Sequence, residues 1–299
     1  MPIHNSEQHI EEALKSILNQ TYKDFEFIIV NDGSKDKSLD IIKKFNDIRI
    51  KIINLKHVGI SKALNYAIQN ARGKFIFRMD SDDISENDRI DVQLKFMLEN
   101  PDIDLCGSFM KIIDQNGNKI SDKFLPITNY EIFKSIKYNS NVMHPTFCFR
   151  KESFDIIGGY RDEFIYAQDY DLLLRGISNG FKYYNIPKFL LKYRIPNRIK
   201  NVKYFNQMRY SRFARILYFQ RKKNKIEKRK TTNKINLINN LNFYTKIVIS
   251  IFFNFNNKRI NKRFPRFLWL LASYFIAMFH YELLINLYYD TRYYFEIKN

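Results

Sequence analysis

Four consecutive residues, Asp80-Ser81-Asp82-Asp83, close the apolar run Lys74 to Met79 and carry the densest chemistry of the chain. Alternate side chains of an extended strand point the same way. The spacing therefore predicts that the carboxylates of Asp80 and Asp82 converge on one divalent cation at the strand's carboxyl edge. Hard cations such as Mg2+ take oxygen ligands and are commonly held by one or two carboxylates together with substrate phosphates, so a phosphate-bearing substrate is the first expectation. A second role competes with it. Acidic clusters after strands also cap helices, and Ser85-Glu86-Asn87-Asp88 has the composition of a helix start. A calcium loop of the EF-hand type fits poorly, because the sixth position from Asp80 lacks its Gly and the twelfth its Glu.

The elements that must hold these residues can be read from periodicity. Asn5 with Gln8 forms a capping pair, and Ile10, Leu14, Ile17 and Leu18 then recur at helical spacing. Phe25 to Asn31 is a short continuous apolar run ending in Asp32-Gly33-Ser34, the pattern of a buried parallel strand and a turn. Ile48 to Asn54 repeats the strand signal, Ser61 to Asn70 is helical, and Lys74 to Met79 is the next strand. Such alternation predicts an α/β sheet with crossover helices. Ligands bind outside the carboxyl ends of the strands in open sheets of this kind, and both Asp32 and the Asp80/Asp82 pair fall there. Further on, Thr146 to Arg150 is a predicted strand, Lys151 to Ile157 a short helix, Gly158-Gly159-Tyr160 a break and Asp169 to Ser178 a helix. Phe181 to Tyr184 and Phe189 to Arg194 finish the sheet.

A chain of 299 residues with 45% hydrophobic and 27% charged residues can bury a sizeable core, which excludes a disordered protein. Two cysteines, Cys106 and Cys148, are too few for a disulfide framework, and the first residues lack the pattern of a signal peptide; a reducing, cytoplasmic setting is expected. Charge is spread unevenly. Residues 1–200 carry 30 Lys/Arg against 27 Asp/Glu, and residues 201–299 carry 20 against 4. The excess points the C-terminal part toward an anionic surface, lipid head groups or nucleic acid.

Several motifs then occur in one order: Pro2-Ile3-His4-Asn5, Val30-Asn31-Asp32-Gly33-Ser34, the stretch Gly59 to Asn65, Arg78-Met79-Asp80-Ser81-Asp82-Asp83, His144-Pro145, Gly158-Gly159-Tyr160 and Gln168-Asp169-Tyr170-Asp171-Leu172. Over about residues 2–195 the chain resembles the family 2 glycosyltransferases of bacterial surface polysaccharide synthesis, which have the glycosyltransferase-A fold. The resemblance implies a nucleotide-sugar donor, with Asp32 contacting the base and Asp80 and Asp82 serving the ribose and a diphosphate bound through Mg2+ or Mn2+. It makes Asp169 the catalytic base. The residue types agree, since an inverting transfer needs one carboxylate to take the acceptor hydroxyl's proton while a cation neutralises the departing nucleoside diphosphate. An N-cap of the helix that follows is the structural alternative for Asp169. Lys62 and Asn65, on the helix after Gly59, are placed to reach the donor or else to form a solvated face. Asp171 is read as structural, and His144 as a packed loop residue.

The chain departs from that pattern in four places. The apolar strand that usually precedes the first motif is missing, because Met1 stands directly against Pro2, and its loss leaves neighbouring backbone groups unpaired. A start assigned at an internal Met is the favoured explanation. His4 replaces a Tyr, Gln168 replaces an acidic residue, and Tyr193-Arg194-Ile195-Pro196 lacks the His that commonly follows. Beyond residue 200, a dense basic run, Arg209 to Lys230, precedes the aromatic-rich segments Phe243 to Phe255 and Phe267 to Tyr289. The apolar stretch Phe267 to Phe279 is short of the roughly 20 residues that cross a bilayer, and Trp269 with many Tyr suits a head-group interface. A soluble helical extension packed on the first domain is the alternative; nucleic acid is not expected, since an acidic cleft repels phosphodiesters.

The expectation is thus a metal-dependent inverting hexosyltransferase with two parts. Residues 1–200 form an α/β catalytic domain with a mostly parallel nucleotide-binding sheet and its first strand missing, and residues 201–299 form a basic helical extension. It would move a sugar, uridine-linked, onto a lipid-linked or growing glycan for lipopolysaccharide, capsule or another surface polysaccharide, as a peripheral protein at the inner face of the cell membrane. The rival is a truncated, inactive nucleotide-sugar-binding or scaffold protein.

Overall fold

The computed structural model describes residues 1–196 and 201–223. The first stretch runs β1 (Pro2–Ile3), α1 (Ile10–Leu18), β2 (Phe27–Asp32), α2 (Ser38–Lys43), β3 (Ile50–Leu55) and α3 (Ile60–Gln69). β1 pairs parallel with β2, and β2 with β3. All six residues of β2 are buried, as a strand covered on both faces requires. Its residues alternate accordingly: Phe27 and Ile29 pack with Ile10, Leu14 and Ile17 of α1 and with Ile42 of α2, whereas Ile28 and Val30 pack with Ala63 and Ala67 of α3.

The second stretch comprises β4 (Phe75–Phe77), β5 (Ile84–Ser85), α4 (Arg89–Glu99), β6 (Leu105–Ile113), β7 (Lys119–Lys123), α5 (Asn129–Ile136), a 3-10 turn at His144–Thr146, β8 (Cys148–Arg150), α6 (Lys151–Ile156), α7 (Gln168–Ser178) and β9 (Tyr183–Arg194). These strands form a separate six-stranded sheet of order β4-β8-β6-β9-β5, with β7 on β6. Only its β6/β9 pair is parallel. The mixed α/β class agrees with the expectation, and so does the parallel β1-β2-β3 sheet flanked by helices. β1 is a stub of two residues, and between β2 and β4 lies an apolar slot of about 230 Å³. The two predicted strands at 181–184 and 189–194 are one strand, β9, and Cys106 and Cys148 are buried free thiols.

Local signals misplace two helix starts. α1 begins at Ile10 rather than after Asn5, because Asn5 adopts φ 53° and its side-chain oxygen accepts from the Lys35 N–H (2.8 Å). α4 begins at Arg89, and Ser85, expected near its cap, is a strand residue. The final described element is α8 (Asn201–Lys222). The chain divides into two compact units, the first built on residues 1–198 with the stretch from Tyr210, the second on 199–209 with the later C-terminal residues. Within the first unit, Tyr210 and Phe213 of α8 pack on the Phe164 ring. The aromatic segments at 243–255 and 267–289, and most of the extension expected at 201–299, lie outside the described residues. Among those described, no helix is long and apolar enough to cross a membrane.

Candidate active site

The backbone leaves β4 at Phe77, so Asp80 to Asp83 lie in a bend between β4 and β5 rather than in the predicted strand. The bend still brings the carboxylates together: one oxygen each from Asp80, Asp82 and Asp83 lies within 4.8 Å of the others. Two buried arginines set it. Arg194, at the end of β9, donates its backbone N–H to Asp83 Oδ1 (2.8 Å) and its Nε–H to the Asp82 carbonyl (2.8 Å). The same guanidinium reaches the carbonyls of Asp114 (3.1 Å) and Gln115 (2.9 Å) and the Glu12 carboxylate (2.5 Å). Arg78 forms a two-pronged pair with Asp80, and Arg89 donates to the Arg78 carbonyl (2.7 Å).

Crowding of like charge shows in the acidities. Burial, then the charges of Asp80 and Asp82, push the Asp83 pKa well up, and loss of water contact, then Asp80, raises that of Asp82 at the rim. Asp83 Oδ2 is buried without a hydrogen-bond partner. An all-oxygen set of three crowded carboxylates with an orphaned acceptor fits a hard divalent cation, and Asp83 joins the two ligands expected from sequence.

Asp32 ends β2 and is buried. Its carboxylate accepts from the N–H groups of Val58 (2.6 Å) and Gly59 (2.9 Å), so it pins the turn before α3. Its carbonyl accepts from His4 Nδ1–H (2.8 Å) and, more weakly, His57 Nδ1–H (3.3 Å). The two imidazole rings lie 4.3 Å apart at this edge. Gly33 (φ 72°) makes the approach of the His57 backbone feasible, since a Cβ there would sit 2.9 Å from the His57 backbone nitrogen. Asn5 and His57 are themselves left-handed, φ 53° and 46°, a conformation that costs on the order of 1 kcal/mol or more per residue.

Asn65, expected to reach the donor, has both ends of its amide engaged elsewhere: Nδ2–H donates to the Tyr160 carbonyl (2.7 Å) and Oδ1 accepts from the Tyr160 N–H (2.8 Å). It clamps the Gly158-Gly159-Tyr160 loop, and a Cβ on Gly159 would lie 2.8 Å from that Oδ1. Lys62 is more than half exposed and 4.0 Å from Asp162.

Asp169 stands in the first turn of α7, whose N-cap is Ala167 in the left-handed region (φ 54°, ψ 29°). The capping role therefore falls away. Burial raises the Asp169 pKa, the Tyr170 N–H and Arg78 hold it down, and Asp80 adds to the rise. Asp171 is buried and pairs with Arg175 (2.8 Å) and Arg161 (3.4 Å), the structural role expected of it. His144 is packed as expected, its Nε2 sharing a hydrogen bond with the Tyr160 hydroxyl (2.8 Å), and burial, then Arg78, drives its pKa well below the imidazole range. Sequence reasoning did not single out Arg78, Arg194 or Asp83 as site residues. Arg78 and Asp83 are the two ends of the quoted motif; Arg194 reaches it only through the fold.

Comparison with known proteins gives three kinds of match. The family model described as "Glycosyl transferase family 2" matches residues 1–158. A glycosyltransferase of Methanocaldococcus jannaschii is 39% identical over 202 residues, 64% of this chain and 68% of the relative. The O-antigen biosynthesis glycosyltransferase WbnJ of Escherichia coli is 35% identical, covering 66% and 79%. An E. coli protein named UDP-Gal:alpha-D-GlcNAc-diphosphoundecaprenol beta-1,3-galactosyltransferase is 33% identical, covering 64% and 70%. Among solved structures, Staphylococcus aureus TarS in complex with UDP superposes with a TM-score of 0.56 at 23% identity, over 78% of this chain and 67% of that one, a likeness of fold.

Proposed function

Because the chain belongs to glycosyl transferase family 2, we propose that it transfers a sugar, with inversion, from a nucleoside diphosphate, uridine-linked, to a lipid-linked or growing glycan in surface-polysaccharide assembly. The observation that carries the reading is Asp169, a carboxyl of raised pKa that shares the electrostatic surroundings of the Asp80 to Asp83 bend. A base works best when its pKa approaches the operating pH, and loss of water contact moves Asp169 in that direction. In the proposed step an acceptor hydroxyl attacks the anomeric carbon, Asp169 takes its proton, and the bond from that carbon to the diphosphate oxygen breaks.

Asp80, Asp82 and Asp83 would hold Mg2+ or Mn2+, which when bound supplies positive charge to the leaving diphosphate. Arg78 holds Asp80 in place from beneath. Asp32 shapes the turn beside which the nucleotide base would lie, with His4 and His57 at its edge. Names of relatives support the donor and the pathway: one carries UDP-galactose and a diphosphoundecaprenol acceptor in its name, another O-antigen biosynthesis. The basic excess of residues 201–299 supports attachment to the anionic inner face of the cell membrane. A panel of nucleotide sugars with Mg2+ or Mn2+, scored for transfer and donor hydrolysis, tests the reading. Asp169→Asn is expected to lower turnover by about 10²–10⁴-fold with no loss of melting temperature, since a neutral side chain relieves the cost of a buried charge; a variant as active as the parent would remove Asp169 from the mechanism.

A further inference from the structure

His9, the N-cap of α1, has no part in the site described so far, yet the fold carries it to the rim of the acidic bend by three separate ties. Ahead of it in the chain, the hydroxyls of Ser6 and Ser81 share a hydrogen bond (2.7 Å). Behind it, Glu12 receives the Arg194 guanidinium, and residues three apart at a helix start lie on one face. Beside it, His9 Nε2 meets Gln115 Oε1 (3.1 Å), and the backbone carbonyl of Gln115 accepts from Arg194, which also holds the Asp82 carbonyl. One arginine thus borders both the imidazole and the bend.

The hydrogen bonds also decide which ring nitrogen is free. Gln115 donates its amide N–H to the Ile195 carbonyl (2.7 Å), so its oxygen is left to accept and His9 Nε2 carries the hydrogen. Nδ1 has no partner among the described residues, and the ring is half-buried. The charge of His9 reaches Asp82, whose pKa it holds down against burial and Asp80. Among the described residues only the carboxylates of Asp80, Asp82 and Asp83 gather within 4.8 Å of one another, so the imidazole stands next to that set and not in it. What lies next to a cation held by carboxylates is the phosphate that completes its shell. A charged imidazole donates from both nitrogens, and Nδ1–H suits a phosphate oxygen.

We propose that His9 is a diphosphate-binding residue: Gln115 fixes its Nε2–H, and its Nδ1–H donates to an oxygen of the donor's diphosphate beside the cation. The inference rests on the nucleotide-sugar reading and adds to it a residue that bears on the leaving group, not on the sugar or the base. As the bond from the anomeric carbon to the diphosphate oxygen breaks, negative charge grows on that group, and a hydrogen-bond donor already aimed at it stabilises the change.

The test uses the full chain with Mn2+ and three probes, inorganic pyrophosphate, UDP and uridine, followed by calorimetry, and Mn2+ alone followed by electron paramagnetic resonance. His9→Ala should weaken pyrophosphate and UDP binding by about 10-fold or more, the worth of a hydrogen bond to a charged group, and leave uridine and Mn2+ alone unchanged. Two amides separate binding from mere support. His9→Gln puts an N–H where Nε2 was and keeps the tie to Gln115, so it should bind pyrophosphate as poorly as His9→Ala; His9→Asn puts one where Nδ1 was and should recover part of the affinity. The opposite order would make His9 a strut for Gln115, and weaker Mn2+ binding without pyrophosphate would make it a ligand of the cation; either result overturns the proposal. Variants that all match a parent able to bind UDP sink this inference alone, whereas a parent that binds neither pyrophosphate nor UDP removes the nucleotide-sugar reading with it.

Discussion

The carboxyl ends of the strands and the middle of the same strands are built in opposite ways. At the ends every turn is tied by directional bonds, with Arg194 alone reaching Asp82, Asp83, Asp114, Gln115 and Glu12. A few residues toward the amino end, β2 and β4 are separated by apolar space, and the Met1 amine lies buried beside it. A polar site can be held at its working geometry by a few long side chains even where the sheet beneath it is interrupted. The packed middle has no such substitute, because apolar contact is lost outright when one layer is absent.

The comparison breaks most readily at Arg194. Arg194→Ala removes the guanidinium that holds the carbonyls of Asp82, Asp114 and Gln115 and the Glu12 carboxylate and so frees the bend, and each buried acceptor left unpaired costs about 1–3 kcal/mol. A urea denaturation midpoint that falls accordingly, together with weaker nucleotide binding, is the expected result; unchanged stability would show that the ends are not held as described. The middle is sharpened by pH. Folded protein keeps the Met1 amine neutral down to about pH 5, whereas the unfolded chain protonates it near pH 8, so the unfolded state binds the extra proton between those limits. Stability should fall as pH drops from 8 to 5, by at most about 4 kcal/mol. Raised carboxyls such as Asp169 and Asp83 act in the opposite sense, losing stability as pH rises. The amine's share is therefore the difference in slope between the protein and its N-terminally acetylated form, and identical slopes would contradict the burial. Least affected should be Lys62→Ala: its exposed pair with Asp162 is worth under about 1 kcal/mol. A large loss of donor affinity there, by calorimetry, would return Lys62 to the binding surface.

What could be read from sequence was local. Asp80, Asp82, Asp32 and Asp169 stand out because each follows an apolar run or precedes a helical one within a few residues, and Asp169 feels the charge of Asp80. Asn65 was read as reaching the donor or lying on a solvated face; its amide holds Tyr160, 95 positions away, a distance over which no periodicity reports. Arg194 was noted as the place where a His is absent, yet its own reach across 182 positions to Glu12 is a property of tertiary structure alone. Lys74 to Met79 looked like a full strand because its apolar pattern suits burial; the ladder ends at Phe77 because Arg78 turns to Asp80 and its backbone N–H is the last to meet β8.

Arg194 also imposes an order on synthesis. Asp82 and Asp83 leave the ribosome more than a hundred residues before the arginine that fastens their backbone, so the nascent chain carries its acidic bend loose until β9 is delivered. Cation capture by the growing polypeptide should be weak until β9 zips against β6, so a strand made late is the latch on chemistry made well before it.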